Sequence, residues 1–227
     1  MRTLYDLPEG DLPGRSNLPG RSRSLKLGIF GGTFDPVHIA HLILAAEAHY
    51  QLTLNRVLWV LTPHPPHKLD RAITPVEDRL EMLASAITDN PDFVLSRVEV
   101  DRPAPYYAVD TVKFLRREYP DAQLVYLMGG DSLRDLADWH QPEEFVAACD
   151  AIGVMRRPLD EVDLPSLEKG IPGLVDKVRF INAPLMDISG TTIRQRIASG
   201  GPFRYYLPLE VYQIIQKRNL YHSENQT

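Results

Sequence analysis

Short apolar runs alternate with longer segments of helical character along almost the whole of this chain, and that alternation restricts the fold more than any other feature. Leu25 to Phe30, Arg56 to Leu61, Phe93 to Val100, Gln123 to Met128, Ala151 to Met155 and Lys177 to Ile181 read as buried strands, each too short for a helix. Between them lie stretches with helical apolar periodicity, of which His38 to Leu52 and Ala108 to Tyr119 are the clearest. Thr74-Pro75-Val76-Glu77 offers an N-cap, a proline for the first helical position and a glutamate placed for a capping box, so a helix is expected from there to Thr88. Asn90-Pro91 stops it. The prolines of Pro63-His64-Pro65-Pro66-His67-Lys68 bar both helix and inner strand, which makes this segment a surface loop. Two helices finish the chain. Strands alternating with helices at this spacing predict an α/β fold with a parallel, doubly wound sheet, whose ligands sit in the crevice beyond the carboxyl ends of the strands.

A chain of 227 residues suits one such unit, and residues 25–227 are expected to form a single domain. Residues 1–24 carry Leu12-Pro13-Gly14-Arg15-Ser16 and then Leu18-Pro19-Gly20-Arg21-Ser22, a repeat of turn formers that reads as a flexible leader. The formal net charge of -5 argues against a protein that wraps a nucleic-acid polymer, because phosphate backbones reward a basic face. Cys149 is the only cysteine, so no internal disulfide can form and a cysteine zinc site would lack ligands. No stretch approaches the ~18 consecutive apolar residues of a membrane helix. A cytoplasmic protein is therefore expected, with no membrane partner and an oligomeric state left open, a homo-oligomer included.

The first strand ends in Gly31-Gly32, and the helix after it begins near His38. Paired glycines let the backbone approach a ligand, while the helix start offers N–H groups and a positive dipole end to an anion. Such a loop is a phosphate site in outline. Gly28, Gly31 and Gly32 do not give the G-x-G-x-x-G dinucleotide fingerprint, and no G-x-x-x-x-G-K-[ST] run exists. His38 and His41 are three residues apart, so two imidazoles on one helix face could reach one phosphate. Ordinary surface histidines or a zinc pair are the competing readings of that spacing.

Gly31-Gly32-Thr33-Phe34-Asp35-Pro36-Val37-His38-Ile39-Ala40-His41 resembles the first signature of the nicotinate-nucleotide adenylyltransferase family, within the HxGH nucleotidyltransferases. Ile188-Ser189-Gly190-Thr191-Thr192-Ile193-Arg194 resembles the family's ISSTxIR element. Between them, Pro65-Pro66-His67-Lys68, Gly129-Gly130-Asp131 and Asp138-Trp139-His140 are similar to further family features, and the resemblance spans Lys26 to Tyr221. It implies a Rossmann-like fold and transfer of AMP from ATP, accompanied by Mg2+, to a pyridine mononucleotide. It also implies roles. His38 and His41 would steady the α-phosphate, and Arg194 would neutralise the β- and γ-phosphates through its planar fork. Gly31, Gly32, Thr33, Phe34, Ser189 and Thr191 would complete the ATP site, with Asp131 accepting from the adenosine ribose. His67, Lys68, Tyr107, Ala108 and Trp139 would meet the acceptor, Trp139 by stacking on the pyridine ring. Asp131 as a helix N-cap and Trp139 as a packed aromatic are the plainer alternatives.

Three positions depart from the family pattern. Ala40 stands for the glycine of HxGH, Gly190 replaces the second serine of ISSTxIR, and Ala108 follows Pro105-Tyr106-Tyr107 where a hydroxyl residue is usual. The last bears on the choice between nicotinate and nicotinamide, since Ala108 leaves only main-chain N–H groups to contact the substituent. An adenylyltransferase for nicotinamide mononucleotide or another phosphate acceptor is the nearest rival. A nucleotide-binding module without catalysis is the rival from a different class.

Overall fold

The computed structural model describes residues 25–64, 73–155, 162–184 and 186–222. The six strands among them are β1 (Lys26–Gly32), β2 (Arg56–Leu61), β3 (Phe93–Ser96), β4 (Gln123–Gly129), β5 (Ala151–Met155) and β6 (Val178–Ile181). They form one sheet in the order β3-β2-β1-β4-β5-β6, with every neighbouring pair parallel. The α/β doubly wound sheet expected from the alternation is the one found. The chain runs outward from β1 to β3 and then returns to lay β4 on the other side of β1. This reversal leaves a crevice at the carboxyl ends of β1 and β4.

The helices are α1 (Ile39–Gln51), α2 (Val76–Ala86), α3 (Ala108–Glu118), α4 (Gly130–Arg134), α5 (Pro142–Ala148), α6 (Leu164–Gly170), α7 (Leu174–Lys177), α8 (Gly190–Ala198) and α9 (Leu209–Arg218). They cover both faces of the sheet, and the continuous apolar runs of the strands follow from that. Along β2, Val57, Trp59 and Leu61 enter one core with Leu83 of α2, Ile193 of α8 and Ile215 of α9. Leu58 and Val60, pointing the other way, enter a second core with Val112 of α3 and Phe145 of α5. Burial of each such side chain contributes about 1.5–3 kcal/mol. Cys149 belongs to this second core, where burial pushes its thiol pKa up to about 12.

Of the boundaries that differ from the sequence reading, three have a cause in side-chain or backbone contacts. β3 stops at Ser96 rather than Val100, because Arg97 pairs with Asp101 at 2.8 Å and the Asp101 N–H donates to the Arg97 carbonyl at 2.9 Å, closing a turn. Thr74 does not cap α2. Pro75 holds the N-cap position without a side-chain bond, and the Thr74 carbonyl accepts from Arg79 Nε at 2.7 Å. Lys177 ends α7 instead of opening β6, and its ammonium donates to the Val146 and Cys149 carbonyls at 2.8 Å, satisfying the C-terminus of α5. Among the described residues no helix is long and apolar enough to cross a membrane. The leader at 1–24 lies outside the described residues.

Candidate active site

A cavity of about 480 Å³ opens at the crevice, where the loop after β1 meets the starts of α1, α4 and α8. His38, His41 and Arg194 all line it, as do Asp131 and Ser189. Residues far apart in sequence thus meet at one edge of the sheet.

The histidines are held differently from a pair on a helix face. His38 is the N-cap residue of α1, in extended backbone, and His41 occupies the third position of the first turn. The His38 N–H donates to His41 Nδ1 at 3.2 Å, so the neutral His41 ring carries its proton on Nε2. The two rings stack with centroids 3.6 Å apart. Phe34 packs edge-on against His41 at 5.1 Å, and Phe30 does so at 6.0 Å. The imidazole is thereby fixed by neighbours on several sides. No group of three or more His, Cys, Asp or Glu side chains able to hold a metal ion occurs among the described residues.

The glycine pair has a reason beyond ligand approach. A side chain on Gly32 would meet the ring of Phe34 at 3.0 Å, and one on Gly31 would meet the Tyr126 hydroxyl at 3.0 Å. Phe34 has a φ of 48° and is 2% exposed, so its ring packs into the core while the residue also borders the cavity. Ala40 is also buried in the first turn of α1, beside the cavity.

On the opposite wall Ser189 caps α8, accepting from the Thr192 N–H at 3.1 Å, which leaves the positive end of this helix facing the cavity. Arg194 Nη2 donates to Thr191 Oγ1 at 3.3 Å, while Nη1 donates to the Asp35 carbonyl. The same guanidinium lies 3.6 Å from the Asp35 carboxylate, whose other oxygen accepts from the Tyr221 hydroxyl at 2.8 Å. α8 is therefore fastened to the loop that carries the histidines. Gly190 sits at the contact: a Cβ there would stand 2.7 Å from the Asp35 carbonyl oxygen. The missing serine is thus a matter of space as well as of a lost hydroxyl. Gly190→Ser is expected to destabilise the fold by about 1–3 kcal/mol, the usual cost of overpacking. Thermal unfolding checks this, and an unchanged Tm would mean that the loop yields freely.

Asp131 lies in the first turn of α4, whose N-cap is Gly129, so the plainer reading of Asp131 as a cap does not hold. Its carboxylate accepts from the Ser132 N–H at 3.0 Å and borders the cavity. Tyr107, Ala108 and Trp139 are not part of the cavity wall with the histidines. They gather on the other face of the sheet, packed against the second core. Tyr107 stacks on His140 at 3.9 Å, and the half-buried Trp139 contacts Phe145 at 5.2 Å and Tyr126 at 6.2 Å. Behind them Arg102 donates to the Pro105 carbonyl at 2.6 Å and to Thr111 Oγ1 at 3.1 Å, and the Thr111 hydroxyl donates to Glu99 at 2.5 Å. Burial pushes the Glu99 carboxyl above the usual range, opposed by Thr111, Thr62 and Arg102. This network pins Tyr107 at the start of α3. His67 and Lys68 lie outside the described residues.

Sequence reasoning passed over Asp35, Tyr221 and Arg79. Asp35 was within reach, being inside the first motif. Tyr221 and Arg79 gave no signal, because an arginine in a helix and a tyrosine near a chain end read as ordinary polar surface.

Comparison with known proteins bears on the family and the fold. The cytidylyltransferase-like family model matches residues 29–196. A probable nicotinate-nucleotide adenylyltransferase of Thermomicrobium roseum is 47% identical over 198 residues, covering 87% of this chain and 92% of the relative. One from Thermus thermophilus is 37% identical over 199 residues, covering 87% of this chain and 100% of the relative. Among solved structures, the Plasmodium falciparum nicotinic acid mononucleotide adenylyltransferase complexed with NaAD superposes with a TM-score of 0.73 at 21% identity, covering 87% of this chain and 97% of that one. That likeness speaks for the fold.

Proposed function

This chain belongs to the nicotinate-nucleotide adenylyltransferase family, and we infer from that membership and from its site that it transfers AMP from ATP to nicotinate mononucleotide, giving deamido-NAD and pyrophosphate. The observation that carries the reading is the convergence of His38, His41 and Arg194 on one cavity at the sheet's reversal. A 5′-phosphate oxygen of the acceptor attacks the α-phosphorus in line. One P–O bond forms there, the bond to the β-phosphate oxygen breaks, and pyrophosphate leaves with the electron pair.

No protein nucleophile is required. The work of the site is to bring two anions together and to stabilise the charge of the transferred group. His41 Nε2–H and His38 serve the α-phosphate, while Arg194, Thr191, Ser189 and the positive end of α8 serve the β- and γ-phosphates. Gly32, Thr33 and Phe34 border the cavity and are assigned to the floor beneath them, with Gly31, which is not among the lining residues, assigned to its support. Asp131 is assigned to the ribose. Tyr107, the α3 start at Ala108, Trp139, His67 and Lys68 are assigned to the acceptor.

ATP enters as its complex with a divalent cation, which we take to be Mg2+. The described residues hold no carboxylate cluster for a resident ion, and Asp35 is already engaged by Arg194 and Tyr221, so phosphate oxygens and water fit its coordination. The reaction is assigned to the cytoplasm.

Purified protein supplied with ATP, Mg2+ and either nicotinate or nicotinamide mononucleotide tests the proposal. Pyrophosphate is expected with the acid at a rate well above that with the amide. Turnover of the amide alone would overturn the acceptor, and silence with both would overturn the reaction.

A further inference from the structure

Arg79 is 0% exposed, although arginine is rarely enclosed unless paired with an acid. Its partners here are main-chain carbonyls. Nε donates to Thr74 at 2.7 Å, Nη1 to Thr33 at 2.9 Å and to Thr62 at 3.0 Å, and Nη2 to Pro63 at 2.7 Å. These four acceptors belong to three separate stretches: the loop after β1, the exit of β2 and the entry to α2.

Packing alone does not call for this arrangement. Leu80, Met82 and Leu83 already bury α2 in the core, and an apolar side chain in place of Arg79 would avoid the desolvation of a charge. Burial indeed pulls the guanidinium pKa below its ordinary value, with nearby Asp35 opposing the shift, yet a guanidinium stays charged in proteins. What the planar fork supplies is fixed geometry among three stretches, of which the first two also share a main-chain bond at this point, from the Thr62 N–H to the Gly32 carbonyl at 2.9 Å. Thr33 is the point at which this reaches the cavity, since its residue lines the wall and leads through Phe34 and Asp35 to the stacked histidines.

We propose that Arg79 is a positioning residue for the AMP transfer. By holding the Thr33 carbonyl against the exit of β2, it sets where the loop after β1 presents its main chain and the histidines relative to Arg194. It touches neither substrate. This inference rests on the reaction assigned above.

The test compares wild type with Arg79→Lys and Arg79→Met. Thermal unfolding defines the folded fraction at the assay temperature, calorimetry with α,β-methylene-ATP gives donor affinity, and pyrophosphate release gives kcat and KM. Arg79→Met is expected to fold and to bind the analogue within about threefold of wild type, with kcat lowered about 100-fold, the scale of a 1 Å misplacement of reacting groups. Arg79→Lys is expected to recover about a tenth of wild-type kcat, since an ammonium keeps three donors but no plane. Wild-type kcat in either folded variant overturns the proposal. So does a fall in kcat that merely tracks the folded fraction, and so does failure of both variants to fold. Wild type that releases no pyrophosphate would instead remove the reaction itself, whereas active wild type beside fully active variants removes only the positioning role.

Discussion

Replacing His41 with alanine is expected to lower kcat by about 10²–10³-fold, the scale on which one preorganised donor to a developing negative charge acts. The ring is ready for that task before any ligand arrives. Its Nδ1 is occupied by the His38 N–H at 3.2 Å, and stacking on His38 with flanking by Phe34 and Phe30 leaves it little freedom to swing. The fold should survive the change. The loss is one hydrogen bond of about 1 kcal/mol together with the ring contacts to His38, Phe34 and Phe30, each 1 kcal/mol lowering Tm by about 2–4 °C in a domain of this size. Single-turnover measurements under saturating ATP isolate the chemical step, and turnover close to wild type would remove this imidazole from the mechanism.

Arg194→Ala is expected to reduce kcat/KM for ATP by about 10³-fold, in keeping with the effect of an arginine that neutralises charge on the reacting phosphate chain in the transition state. Two losses combine in it. The triphosphate loses its fork of donors, and the loop after β1 loses the clasp that Arg194 makes on the Asp35 carbonyl and carboxylate. Arg194→Lys separates them, because an ammonium can answer charge but cannot grip Thr191 and Asp35 together. Lysine should therefore restore affinity for the triphosphate more than it restores kcat. Efficiency within threefold of wild type in the alanine variant would contradict the assignment.

The sheet could be read from the sequence because its strands are continuous apolar runs separated by periodic helices, a pattern set by burial on two faces. Where a boundary went astray, a side chain had found a distant or local partner: Arg97 with Asp101 ended β3 early, and Arg79 took the carbonyl of Thr74. The site was legible where its chemistry is packed into short motifs, as with His38, His41, Ser189 and Arg194. Residues that act through tertiary contact were not. Gly190 looked like a lost hydroxyl until the Asp35 carbonyl was found 2.7 Å from where its Cβ would stand. Phe34 borders the cavity, but its ring also packs against Gly32 from inside the core, which the motif did not announce.

The hydrogen bond between Tyr221 and Asp35 joins positions 186 residues apart. A chain emerging from the ribosome can pair its strands and wrap most of its helices while Asp35 still waits for this hydroxyl. The first motif is thus completed only after Tyr221 has been added, when the last of the six described strands has already been made.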